Sequence, residues 1–592
     1  MKIKYLNGNR LYYAFLAGGN AVIKDQAYLN KINVFPVPDA DTGTNLASTM
    51  RSIADGASLS PSLKETLHSI ADSALTGARG NSGIIFAQFL HGISREIKED
   101  LRISTRAFGA SVKAAVQHAY KSVADPVEGT MLTVMKDWAD AVYQNGHNTF
   151  DFVEVFSQAL KTAKVSLKNT PKRLSVLARA GVVDAGAKGF VDFLEGIVQF
   201  IRAGRLKVLF RKEKVEQDTG FAVHSSWNEG EKRYCSEALV SGSSMNLDEI
   251  RRTLNKYGVS VIAAGSEQKV RVHVHTDNPQ ELFFELRKYG DTTQLKVDDM
   301  KRQYEATHQR LSNTALVVDS ACDLPESVIE NHQMHVLPLN ILIGDNQFLD
   351  KVTITPEQFY SLLLTEKNHP TSAIPSQKQV QNLLSFLATH YENIIVVNIS
   401  SKLSGMYDLC RKTAEEFNHN KLLVVDSKNL SASEGLIALR IAEAVQAKQS
   451  FKEIVNGYEE WTAKTKILVD IATLKYMVRG GRVSPLKGFI AKVLNIKPVI
   501  TLDEEGAVDS PGKSFSRKGN MKKILGIVRE WTQSKRIWKY ALVHAQNPER
   551  AGEYAEKLTA IIGKEPAYTV EVSPVVGVHN GIGVVAVSVM FE

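Results

Sequence analysis

Two carboxylates two positions apart, Asp39 and Asp41, stand where a Pro-x-Pro arm gives way to Thr42-Gly43-Thr44-Asn45 and an apolar-periodic helix. Carboxylate oxygens only accept hydrogen bonds and suit a hard cation such as Mg²⁺. Small polar residues at a helix start leave backbone N–H groups for a phosphate. Together these are the minimum equipment for phosphoryl transfer. An EF-hand is excluded, because Thr44 and Met50 stand where its loop needs Gly and Glu. An aspartyl-nucleophile phosphatase is excluded too, since Pro36 and Pro38 spoil the buried strand it requires. By itself the stretch reads equally well as a solvated Asp-rich turn.

The elements around it favour the chemical reading. Residues 1 to about 205 show apolar spacings of three and four almost throughout, predicting helices over Leu11 to Lys31, Leu46 to Ala54, Leu63 to Leu75, Ile84 to Ile97, Thr105 to Ser122, Gly129 to Tyr143, Phe152 to Leu167 and Gly186 to Ala203. Three joints between them carry small and polar residues that a plain bundle does not need. They are Thr76 to Gly83 (with Gly80-Asn81-Ser82-Gly83), Pro126 to Met131 (with Thr130) and Ala180 to Gly186 (with Asp184). Each alone reads as a turn. With the Asp-rich stretch they make four, and four could share one rim of the bundle. No Walker A loop competes: Gly506 through Gly512-Lys513-Ser514 has one residue too many between its glycines.

The Asn33 to Asn45 run and the Gly-Ala-Arg-Gly-Asn-Ser-Gly loop resemble the DhaL-type ATP-binding domain of the fatty acid kinase ATP subunit, which is related to the nucleotide subunit of dihydroxyacetone kinase. The resemblance covers residues 1–205 and implies an all-α eight-helix barrel binding ATP and two Mg²⁺ at one end. By match, Asp39 and Asp41 would be metal ligands, with Asn33 near where the dihydroxyacetone kinase domain carries a third Asp. Thr42, Gly43, Thr44, Asn45, Gly80, Asn81, Ser82 and Gly83 would contact phosphates. Thr130, Met131, Asp184 and Gly186 would close over the nucleoside. Ala40 departs from the family's usual Gly.

A smaller α/β domain is expected over 222–305. His273-Val274-His275 in a strand puts both imidazoles on one face, and Cys235 lies in the domain's first predicted strand, so a zinc site is open to it. Tyr-Cys-Ser-Glu and Val-His-Val-His-Thr-Asp-Asn-Pro resemble the middle domain of the same kinase subunit, which implies a structural Zn²⁺ on Cys235, His273 and His275. The fourth ligand stays open among Glu237, Asp277 and water.

Beyond Gln309, strands alternate with helices, and Thr355-Pro356-Glu357-Gln358 reads as a capping box while Ser376 caps another helix. The loops at Asp319 to Pro325, Thr371-Ser372, Ile399 to Gly405, Arg479 to Ser484 and Gly577 to Gly581 offer hydroxyls, an Arg and a His for a carboxylate head. Together they resemble the DegV family of fatty-acid-binding proteins over 313–592, which implies a two-subdomain α/β fold. The match puts Thr371, with Ser372 beside it, Ser400 or Ser401, and His579 around a carboxyl group, with Arg482 beside them. Two departures are the extra residue in Thr371-Ser372-Ala373-Ile374-Pro375 and the closing His579-Asn580-Gly581-Ile582-Gly583, where the family commonly has His-Thr-Gly-Pro-Gly.

At 592 residues and a formal net charge of +8 the chain is a multidomain protein with ordinary composition. No nucleic-acid module is recognisable. Three scattered cysteines build no disulfide framework, and neither a leader-like apolar region nor a transmembrane run is visible, so a cytoplasmic location is expected. The resemblance implies ATP-dependent phosphorylation of a long-chain fatty acid to an acyl phosphate, with kinase and acyl-binding parts joined. A homodimer and an enzyme accepting the acyl phosphate are the expected partners. The alternatives are a dihydroxyacetone-type kinase and a lipid-binding protein whose kinase end is inactive or regulatory.

Overall fold

Apolar residues recur at helical spacing through the first two hundred positions, and the computed structural model closes them into a ring. It describes residues 2–35, 41–98, 101–203, 230–417, 421–482 and 497–592. Asp39, together with Pro36, Pro38, Ala40, Val483 and Ser484, lies outside the described residues. The chain divides into two compact units, Met1–Tyr304 and Glu305–Glu592.

In the first unit the long helices are Gly8–Lys24, Thr42–Gly56, Leu63–Gly77, Gly80–Glu96, Thr105–Ser122, Met131–Asn148, Phe152–Lys168 and Ala185–Ala203. Each packs on the next, and the last packs on the first. The expected single helix from Leu11 to Lys31 is broken at Asp25, which ends the first segment with φ −94° and ψ 7°. No Gly or Pro marks that break. Phe86, Phe89, Phe190, Phe193 and Trp138 fill the barrel edge to face, with Phe86 and Phe193 centroids 4.9 Å apart.

The middle domain is a four-stranded antiparallel sheet in the order Gly258–Gly265, Lys269–Thr276, Tyr234–Ser241, Asp291–Asp299. Its register sets Cys235 opposite both His275 and Asp298, and Glu237 opposite both His273 and Lys296. Residues paired directly across strands share a face, and so do residues two apart. One side of the sheet therefore collects a thiol, two imidazoles, two carboxylates and an ammonium.

The second unit carries two α/β subdomains. One holds a parallel sheet in the order Leu422–Asp426, Asn393–Asn398, Thr314–Asp319, His335–Leu337, with a small antiparallel sheet beside it. The other holds a six-stranded mixed sheet that ends the chain with Val585–Phe591. Both legs of the capping box are present at Thr355/Gln358, and Ser376 forms a second box with Gln379. The Walker-like run falls in an edge strand, Val508–Ser514. No helix among the described residues is long and apolar enough to cross a membrane.

Candidate active site

The two ends of the barrel are capped differently. Four long helices start at one end, and Asn7, Ser62, Ser104 and Asp151 each accept a backbone N–H there. At the other end the helices starting at Thr42, Gly80 and Met131 have no side-chain cap from Asp41, Arg79 or Thr130. Uncapped N-termini leave donors and a partial positive charge pointing outward. The described residues of all four joints singled out in the sequence lie at this end.

Contacts between the joints are close. A Cβ on Gly80 (φ +55°) would meet Asn45 Nδ2 at 2.1 Å. One on Gly186 would meet Ser82 Oγ at 2.9 Å, Met131 Cβ at 3.4 Å and Asp184 Oδ1 at 3.4 Å. Asn33 Oδ1 accepts the Thr42 hydroxyl at 2.8 Å, and Asn30 Oδ1 accepts the Thr44 N–H at 3.0 Å. Asp41 is close enough to Cys235 and Lys296 to act on both electrostatically, so the sheet face of the middle domain borders this rim. Asn33 and Asp41 offer only oxygen to a cation, which suits Mg²⁺.

Several expected contacts are already engaged. Gly80 N–H donates to Glu237 Oε1 at 2.6 Å, Gly83 N–H donates to Arg79 O, and Asn45 N–H donates to Asp41 O. That leaves Asn81 and Ser82, and Thr42 and Gly43, as the backbone donors at the first turns of the two helices. Asp184 is buried and accepts the Ala187 N–H at 2.8 Å. Burial pushes its carboxyl up to about 6, against the Ala187 and Met131 N–H groups that favour the anion. It ties two helix starts together and has little surface left for a nucleoside.

In the middle domain the ligand atoms of Cys235, His273 and His275 lie within 4.8 Å of one another, all buried. His273 Nδ1 is 3.2 Å from Glu237 Oε1, while its Nε2 is buried without a hydrogen-bond partner. A thiol, two imidazoles and an unspent lone pair fit zinc. Asp277 is occupied by Lys232 and the Arg233 N–H, away from this set. Arg79, Arg271, Lys296 and Asp298 complete the surroundings of Glu237 and Cys235. In the sequence only the Lys-Val-Asp alternation on an edge strand hints at them.

The second unit holds a largely apolar cavity of about 770 Å³, part of it open to solvent. Ala321, Ile399 and Leu430, just beyond the carboxyl ends of three parallel strands, form part of its wall, as expected at a topological switch point. Ser372, Ser404, Arg482, Thr501, His579 and Asn580 supply its polar groups. Ser372 Oγ lies 2.9 Å from His579 Nε2. Burial, with help from Arg482 and His369, pushes His579 down to about 4, so the imidazole is neutral at pH 7. Arg482 donates to the carbonyls of Leu403 and Gly480. Thr371 is exposed and does not line the cavity. Ser400 is fully buried, with its hydroxyl donated to Gly506 O, and Ser401 donates its N–H to Asp426. Neither serine lines the cavity. Ser404 and Asn580 do, although nothing in the sequence distinguishes them from turn residues.

Comparison with known proteins matches three family models in order: a DAK2 domain over 36–199, a FakA-like fatty acid kinase middle domain over 231–307, and the DegV family over 313–592. The domain order is that of a fatty acid kinase ATP-binding part fused to a DegV domain. Two curated Staphylococcus aureus proteins, both named as uncharacterized, are 32% identical to this kinase-like chain over 323 residues, covering 53% of it and 59% of each relative. The chain thus spans about three-fifths of the length of the curated relatives it matches. Among solved structures it is similar to fatty-acid-binding DegV proteins from Thermus thermophilus (25% identity, TM-score 0.44, 47% of this chain and 99% of that one) and Streptococcus agalactiae (26%, 0.44, 47% and 99%).

Proposed function

We propose that this protein transfers the γ-phosphoryl group of ATP to the carboxylate of a long-chain fatty acid, giving an acyl phosphate and ADP. The observation that carries the reading is the pairing, in one chain, of a barrel end where three helix starts lack a cap from their own N-cap residue and an apolar cavity with a Ser372–His579 polar corner.

The chemistry asks little of the side chains. A fatty acid with a carboxyl pKa of roughly 4–5 is already an anion at pH 7, so no general base is needed. One carboxylate oxygen forms a bond to the γ-phosphorus as the bond to the β,γ-bridging oxygen breaks, and ADP carries the electron pair away. Asp39, Asp41 and Asn33 would hold Mg²⁺, which neutralises the triphosphate when bound. Thr42, Gly43, Asn81 and Ser82 offer backbone N–H groups to the phosphates, with Thr44, Asn45, Gly80 and Gly83 shaping the loops. Thr130, Met131 and Gly186 border the nucleoside. Ser372 and His579 present the fatty acid head, and Arg482 offsets its charge at the cavity rim. Cys235, His273 and His275 would hold zinc.

Incubating the purified chain with ATP, hydroxylamine and either oleate or dihydroxyacetone tests the reading. Acyl hydroxamate with oleate alone is the expected result. Turnover of dihydroxyacetone, or none with either, would replace it with the corresponding alternative.

A further inference from the structure

The helix Gly80–Glu96 lacks a cap of its own because a residue 157 positions away supplies one. Glu237 is 1% exposed, and its Oε1 accepts the Gly80 N–H at 2.6 Å and faces His273 Nδ1 at 3.2 Å. Cys235 Sγ lies 3.8 Å from the same Nδ1, and since a carboxylate only accepts, the Glu237 contact assigns the imidazole proton to Nδ1 and leaves the unpartnered Nε2 its lone pair. Oε2 lies 3.3 Å from Arg271, which is fully buried, and 3.5 Å from Arg79. Four groups thus pin one buried side chain on a strand. One carboxylate oxygen is shared between a ring of the Cys/His/His set and the first N–H of a loop at the nucleotide rim.

We infer that Glu237 is a positioning residue coupling metal occupancy of Cys235, His273 and His275 to nucleotide binding at the barrel end. The inference rests on the ATP-binding reading of that end. A hydrogen bond from a ligating imidazole to a carboxylate fixes the tautomer and orientation of the ring, and losing such a partner costs roughly 10–100-fold in metal affinity. Here the same oxygen also fixes Gly80, and with it the start of the helix bearing Asn81 and Ser82. Ordering the imidazole therefore orders the loop. By linkage the effect runs both ways with one factor, in the usual range of about 5–150-fold.

The test uses the full chain with Co²⁺ as the metal probe and a non-hydrolysable ATP analogue with Mg²⁺. Nucleotide affinity is measured with and without Co²⁺, and Co²⁺ affinity with and without nucleotide. Both should tighten by the same factor, about tenfold. In Glu237→Gln the Co²⁺ spectrum should persist while that factor falls to about one. Hydrogen exchange on the unmutated chain gives a second reading, with the Gly80 amide slowing when Co²⁺ is bound. Equal nucleotide affinity with and without metal, or unchanged exchange at Gly80, overturns the coupling and leaves the ATP reading standing. Absence of nucleotide binding in every form overturns the ATP reading, and the coupling goes with it.

Discussion

The two ends of the helical barrel are made from the same ring of helices and solve the same problem in opposite ways. At one end Asn7, Ser62, Ser104 and Asp151 satisfy the helix starts with their own side chains. At the other, Asp41, Arg79 and Thr130 give their helices no side-chain cap, Asp184 alone caps the helix that follows it, and the joints crowd together. The first arrangement stabilises the fold, since a cap contributes about 1 kcal/mol. The second leaves donors unspent, which is useful only where an anion arrives. The difference separates residues kept for stability from residues kept for chemistry within one domain.

Substitutions at the two ends should therefore fail in different assays. The largest effect is expected for Asp41→Ala, with phosphoryl transfer falling on the order of 10³-fold or more while the melting temperature and fatty acid binding hold. Retained turnover would remove Asp41 from the metal site. Next comes a pH effect at the open end. The Asp184 carboxyl rises from 3.8 to about 6 in the fold, so between those values the folded state holds the extra proton. Its contribution is fully present below pH 3.8 and is lost as pH rises through 6, by about 3 kcal/mol. Asp184→Asn should flatten the pH dependence of denaturant midpoints across that window, and an unchanged slope would contradict the assignment.

Gly80→Ala should cost about 1–3 kcal/mol, because a methyl meets Asn45 Nδ2 at 2.1 Å and the backbone is left-handed. It should weaken nucleotide binding as well, which calorimetry would measure. Smallest is Ser104→Ala at the capped end, expected to lower stability by about 1 kcal/mol and leave turnover alone. Lost activity there would erase the contrast between the ends.

Much of this contrast is legible in the sequence. Helical periodicity outlines the ring, and the Gly-rich joints and Asp41 mark the open end, because the residues concerned are contiguous. The break at Asp25 is not legible, having neither Gly nor Pro. Glu237 stands out in the sequence as a candidate zinc ligand, but its contact with Gly80 does not: that partner belongs to another domain, and only the fold brings them together. In the second unit Ser400 carries the right chemistry for a head group but is buried against Gly506 O, while the cavity wall draws Leu339, Leu430 and Val508 from distant elements. Apolar residues in such walls look like any core until the empty volume between them is seen.

The central claim is that a carboxylate oxygen attacks the γ-phosphorus. Oleate labelled with ¹⁸O in its carboxyl group, incubated with the protein, ATP and hydroxylamine, tests it directly. Hydroxylamine takes the acyl carbon and leaves the bridging oxygen on phosphate, so phosphate carrying one ¹⁸O is the expected product. Phosphate released without label would mean that water, and not the fatty acid, receives the phosphoryl group.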